Sequence, residues 1–130
     1  MTNIQTKRIY DPAATTDGFR ILVDRLWPRG VKRDEAKLDL WAKDITPTTE
    51  LRKAYHEGSI AWPEFEALYH AQLCKNPALD DFVKTVRNKE TVTLLFAGKD
   101  TAHTHVKVIV DVLRQHLSDL AREQPVPLTK

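Results

Sequence analysis

Asp24, Arg25, Trp27 and Arg29 lie in one six-residue stretch that directly follows an apolar run, Phe19 to Val23. Two guanidinium groups so close together can grip a carboxylate or phosphate through paired hydrogen bonds. An indole beside them can stack on a flat ring, and an aspartate can act as general acid or base. Similar groups recur after two other apolar stretches. Lys43 and Asp44 follow Leu38–Ala42, which includes Trp41. Lys99 and Asp100 follow Thr91–Ala97, with His103 and His105 just beyond. The candidate catalytic residues are therefore Asp24 and Asp100. The candidate ligand-binding residues are Arg25, Trp27, Arg29, Trp41, Lys43, Asp44, Lys99 and His103.

These residues become one site only if the elements before them are strands that run the same way. In open α/β sheets, ligands sit beyond the carboxyl ends of the strands. Phe19–Val23 is strand-like, with enough apolar character for a central position, and Pro28 and Gly30 end it. Thr91–Ala97 is the strongest strand signal and reads as buried on both faces. Ile4–Tyr10 alternates loosely, as an edge strand would, and Asp11-Pro12 stops it. Leu38–Ile45 alternates too and is expected to be a strand. Val31–Lys37 has room for one helical turn.

Helices are expected between the third and last strands and after the last. Thr46-Pro47 or Thr48 starts the first, with Leu51, Ala54 and Tyr55 on one face, and Gly58-Ser59 breaks it. Pro63 opens the second, which carries Phe65, Leu68, Tyr69 and Leu73 in a three-four rhythm. Asn76 caps the third, which buries Leu79, Phe82, Val83 and Val86. Asp100-Thr101 caps the last, whose apolar stripe runs from Val106 to Leu120. The order predicts an α/β class: a single small domain over 1–122, with a mainly parallel central sheet flanked by helices, and a loose tail over 123–130.

Composition narrows the functions. A chain of 130 residues with 42% hydrophobic and 29% charged residues has one core and is not disordered. No apolar run approaches the length of a membrane span, and the N-terminus has no signal-peptide core, so no membrane partner and a cytoplasmic location are expected. A net charge of +2 falls short of the basic stripe of a dedicated duplex binder. Cys74 is the single cysteine and reads as a buried, inert thiol beside Leu73. No phosphate loop or nucleophile elbow occurs. His103 and His105 are wrongly spaced to share a metal on one helix, while Asp24, Asp44 and Asp100 together have the chemistry for magnesium. No metal site is assigned, and the residues leave the cofactor unspecified.

At these residues the chain resembles the YeaO-like proteins, a bacterial family of unassigned function. The resemblance spans about Lys7 to Leu117. It rests on Arg8-Ile9-Tyr10-Asp11, Asp17-Gly18-Phe19-Arg20, Leu22 to Gly30, Leu38 to Arg52, Trp62, Phe65 and Tyr69, Thr93 to Asp100, and His103. It implies a compact α/β domain and no particular reaction. Distant relatives carry Cys-His-Arg where this chain has Thr104-His105-Val106, and only the histidine is kept here.

Three functions are consistent with these residues. The first is a small anionic ligand, phosphate-bearing or nucleotide-like, bound at the strand exits, with or without catalysis. The second is single-stranded nucleic acid, its phosphates tracked by Arg8, Arg20, Arg25, Arg29, Lys32 and Arg33. The third is a protein-interaction module using Trp41, Trp62 and Tyr69 as an exposed aromatic patch.

Overall fold

The computed structural model describes residues 2–100 and 103–123, with side chains as far as Leu120. Four strands, β1 (Asn3–Arg8), β2 (Phe19–Leu22), β3 (Leu40–Trp41) and β4 (Thr91–Phe96), form one sheet in the order β1-β4-β2-β3. Every pairing is parallel; Leu94 of β4 lies opposite Thr6 on one side and Ile21 on the other. The class is α/β, as the residue pattern predicts. β4 is central because its run of apolar residues can be covered on both faces, and Val92, Leu94 and Leu95 are fully buried.

Side chains alternate across the sheet, so each face has its own core. Val92, Leu94 and Phe96 join Ile21 and Val23 on the face covered by four helices: α2 (Thr49–His56), α3 (Trp62–Lys75), α4 (Ala78–Arg87) and α5 (His105–Glu123). Each leucine or isoleucine fully buried there contributes about 1.5–3 kcal/mol relative to exposure. Leu22, Leu95 and Ile9 form a smaller cluster on the other face, beneath the single turn α1 (Arg33–Ala36). No helix among the described residues is long and apolar enough to cross a membrane.

The helix starts follow local chemistry. Thr48 Oγ1 accepts from Leu51 N at 3.2 Å, and the same hydroxyl takes a bond from Gln72 Nε2, which ties α2 to α3. Pro63 sits in the first turn of α3, where its missing N–H costs nothing. Asn76 Oδ1 accepts from Ala78 N at 2.9 Å and opens α4. At α5 the expected cap falls partly on Thr101, outside the described residues. Asp100 instead accepts the N–H of His103, and Thr104 precedes the first residue of the helix.

The face beneath residues 14–20 carries a buried ionic network. A 3-10 turn, Thr15–Asp17, lays the Asp17 carboxylate against the Arg20 guanidinium and within 3.1 Å of Lys7 Nζ. Arg20 spends its other N–H groups on the Ala36 carbonyl at 2.9 and 3.2 Å. Burial by itself would raise the Asp17 pKa. The Ala14 N–H, Lys7 and Arg20 outweigh it and hold the carboxyl below its ordinary range. Gly18 follows at φ 66°, where a Cβ would lie 2.4 Å from the Thr91 carbonyl oxygen.

Two expectations are corrected. The stretch Leu38–Ile45 is a strand only at Leu40–Trp41; Ala42 turns the chain (φ −92°, ψ 53°) into a 3-10 turn over Lys43–Ile45. Cys74 is exposed, because α3 buries Phe65, Tyr69 and Leu73, and the next residue is turned about 100° from that stripe. Glu123 is the last residue of α5, and the rest of the expected tail over 123–130 lies outside the described residues.

Candidate functional site

A cleft of about 590 Å³ opens at the carboxyl ends of β2 and β4. Its first wall is the loop after β2. Trp27 and Trp41 pack edge to face with ring centroids 5.4 Å apart. Trp27 Nε1 donates to the Val31 carbonyl and Trp41 Nε1 to the Asp24 carbonyl, both at 2.7 Å. Arg33 covers the outer face of Trp27, 4.4 Å from the ring centre. The two indoles thus form a peg that shapes the loop, with their polar handles already used. Gly30, at φ 80°, lets the chain turn out of the peg, and Tyr10 Oη fixes the far side by donating to the Arg29 carbonyl at 2.9 Å. Arg25, Leu26 and Arg29 are left exposed, facing the cleft.

The floor joins three chain segments. Asp24 Oδ2 accepts from Ala97 N at 2.8 Å, and Asp24 Oδ1 lies 3.3 Å from His105 Nε2. That same nitrogen is 2.7 Å from the Val23 carbonyl oxygen. Both neighbours are acceptors, so Nε2 carries the proton and donates. Asp24 and His105 therefore lock the β2 exit, the β4 exit and the start of α5 together. Beneath them Tyr69 donates to the Ile45 carbonyl at 2.6 Å. Burial, and after it the negative charge of Asp24, push the Tyr69 phenol far above its ordinary pKa, so it stays a donor.

The opposite wall is aromatic. Phe65, Trp62 and His103 stack in a row, with centroid spacings of 5.4 and 5.2 Å and interplanar angles of 22° and 30°. Tyr55 leans on both Trp62 and Phe65. Asp100 sets the last ring: its Oδ1 accepts the His103 backbone N–H at 2.9 Å, and its Oδ2 lies 3.5 Å from His103 Nδ1.

Of the residues expected to form the site, Asp24, Arg25, Trp27, Arg29, Lys99, Asp100 and His103 line this cleft. Trp41, Lys43 and Asp44 do not. Trp41 belongs to the peg, Lys43 lies 4.9 Å over the Trp41 ring, and the Asp44 backbone carbonyl accepts from Asn76 Nδ2. Early termination of β3 removes them from the rim. Asp44 thus does not join Asp24 and Asp100, and no three His, Cys, Asp or Glu among the described residues are arranged to hold a metal ion. The pattern missed Tyr10, Arg52, Tyr55 and His56, which also line the cleft. Arg52, Tyr55 and His56 stand at i, i+3 and i+4, so their shared helix face was readable; its direction was not.

The charge is lopsided. Arg25, Arg29, Arg52 and Lys99 line the cleft, against the carboxylates of Asp24 and Asp100. None of the four cations forms an ion pair with a carboxylate of the described residues.

Two other expectations fail on burial. Arg20 cannot track phosphates, being 5% exposed and bound to Asp17 and Ala36. Arg8 and Arg33 are also engaged, on the Ala97 and Gly98 carbonyls and on the tryptophan peg. The aromatic patch of Trp41, Trp62 and Tyr69 does not exist, because Tyr69 is core at 1% exposure and the two indoles are half-buried in separate clusters.

Comparison with known proteins adds a family. The model described as the inactive DUF488-N3 subclade matches residues 3–128. The chain is 46% identical to the uncharacterized protein YeaO of Escherichia coli (strain K12) over 112 residues, covering 86% of this chain and 97% of that one. It is 33% identical over 112 residues to uncharacterized proteins of Mycobacterium bovis and Mycobacterium tuberculosis, covering 86% of this chain and 94% of each relative. No solved structure matches.

Proposed function

The chain belongs to the YeaO-like family, in the inactive DUF488-N3 subclade, and from that premise we propose that its cleft binds a small anionic metabolite without transforming it. The observation that carries this reading is the set of Arg25, Arg29, Arg52 and Lys99 lining one cleft without ion-pair partners among the described residues. Holding several like charges near one another is unfavourable unless a counter-charge arrives. A phosphate or carboxylate supplies that charge and accepts their hydrogen bonds.

Binding without turnover is supported by the state of the acidic groups. Asp24 is engaged by the Ala97 N–H and by His105, and Asp100 by the His103 N–H. Each acts as a brace for the cleft, not as a group waiting for a substrate proton. Thr104 lines the cleft where distant relatives have a cysteine, so the nucleophile of such chemistry is missing. The subclade's description as inactive agrees with that loss. A cytoplasmic location suits a ligand of the metabolite pool.

Thermal melting in the presence of phosphate, pyrophosphate and small phosphorylated or carboxylated metabolites tests the reading. A ligand at a hundred times its dissociation constant stabilises by about 2.7 kcal/mol, a rise of roughly 10 °C for a domain of this size. The expected result is such a rise with at least one anion, reduced in Arg29→Ala. No response to any anion, or an equal response from the variant, overturns it.

A further inference from the structure

The aromatic wall has not been assigned a role by anion binding alone. Phe65 is buried at 4% exposure, Trp62 is half-buried, and the His103 side chain is 52% exposed. The stack therefore runs from the core to the cleft and ends on a half-exposed ring that lines it. Asp100 holds the His103 backbone through one contact and lies 3.5 Å from the ring Nδ1, beside the stacking on Trp62. Stacked rings of this kind are favourable surfaces for one more ring, and they tolerate any base because every base has a π-face.

We infer that the cleft takes a nucleoside phosphate, with its base continuing the Phe65–Trp62–His103 stack and its phosphate among the rim cations. The inference rests on the anion-binding reading and adds the ring to it. Size agrees: about 590 Å³ falls within the range of single small-molecule sites and leaves no room for a polymer to be enclosed. Chemistry agrees as well. Arg52 and the neighbouring ring of Tyr55 come from one turn of α2, so cation and aromatic wall meet without an intervening acid. Asp100 is then a positioning residue, which acts through His103.

Calorimetric titration of the intact protein with AMP, ribose 5-phosphate, inorganic phosphate and adenosine separates the two ideas. AMP is expected to bind roughly tenfold or more tightly than ribose 5-phosphate, and Trp62→Leu is expected to abolish that preference while phosphate still binds. Because Trp62→Leu removes packing, the wild-type protein supplies a second readout. Ring stacking shifts the His103 imidazole protons upfield in an NMR titration with AMP. Equal binding of AMP and ribose 5-phosphate, or AMP binding with unmoved His103 protons, overturns the inference and leaves the anion-binding reading standing. No binding by any of the phosphates overturns both. A 5′-phosphorylated oligonucleotide that binds more tightly than AMP overturns the assignment to a free nucleotide.

Discussion

Arg20 and Arg29 lie nine residues apart in the sequence, and their guanidinium groups meet different surroundings. Arg20 is buried under the 3-10 turn, bound to the Asp17 carboxylate and the Ala36 carbonyl. Arg29 is exposed at the cleft, and its backbone carbonyl accepts from Tyr10 Oη. The same contrast separates the two regions as wholes. On the covered face, Lys7 and Arg20 share one buried carboxylate, and no buried side-chain polar atom among the described residues lacks a partner. At the rim, cations outnumber carboxylates and the carboxylates are turned to bracing. Charge that folding has already neutralised holds structure, whereas charge left open at a strand exit is available to a ligand.

The largest expected effect of breaking this contrast lies on the covered face. Arg20→Ala leaves the buried Asp17 carboxylate with only Lys7 and the Ala14 N–H, and removing one partner of a buried pair typically costs about 3–5 kcal/mol. Urea denaturation is expected to show that loss, with anion binding per folded molecule unchanged. Gly18→Ala should follow, at about 1–3 kcal/mol, since it combines a left-handed φ with a clash against the Thr91 carbonyl. Restoration of stability by alanine there would mean the turn before β2 is not under that constraint.

Acid sharpens the same comparison. The folded pKa of Asp17 is lowered from 3.8, so its ionised form stabilises the fold above the unfolded value. That contribution fades as pH falls from the unfolded pKa through the folded one. In urea midpoints followed into acid, wild type is expected to lose more stability over this window than Asp17→Asn, which has no proton to take up there. Parallel curves would remove Asp17 from the acid response.

The smallest stability effects belong to the rim. Arg29→Ala and Lys99→Ala are expected to change unfolding free energy by no more than about 0.5 kcal/mol, while weakening anion binding roughly tenfold, as loss of a charge-assisted hydrogen bond does. A large stability loss in either variant would show a hidden structural role for that cation.

How much of this was written in the sequence depends on what each residue had to reveal. The apolar runs of β2 and β4 showed their own depth, because burial on both faces leaves a mark in residue type, and the cleft opens at their exits. Arg25, Arg29 and Lys99 follow those exits directly in the sequence, and all three line the cleft. Lys43 and Asp44 were misplaced because alternation over Leu38–Ile45 does not show that the backbone turns at Ala42. Trp27 and Trp41 read as stacking plates, yet their indole N–H groups found backbone carbonyls and their rings found each other. Such pairing depends on tertiary distance, which spacing does not encode. The wall that the rings do form comes from Trp62 and Phe65 of α3 and from His103 before α5, elements far apart in the chain.

The most direct measurement is an NMR titration of the arginine side chains with pyrophosphate in cold, mildly acidic buffer, read at each Nε–H. If open rim charge is what receives a ligand, the signals of Arg25, Arg29 and Arg52 move in a saturable way and that of Arg20 stays fixed. Rim signals that do not respond, or shifts spread equally over Arg20 and the rim, would contradict it.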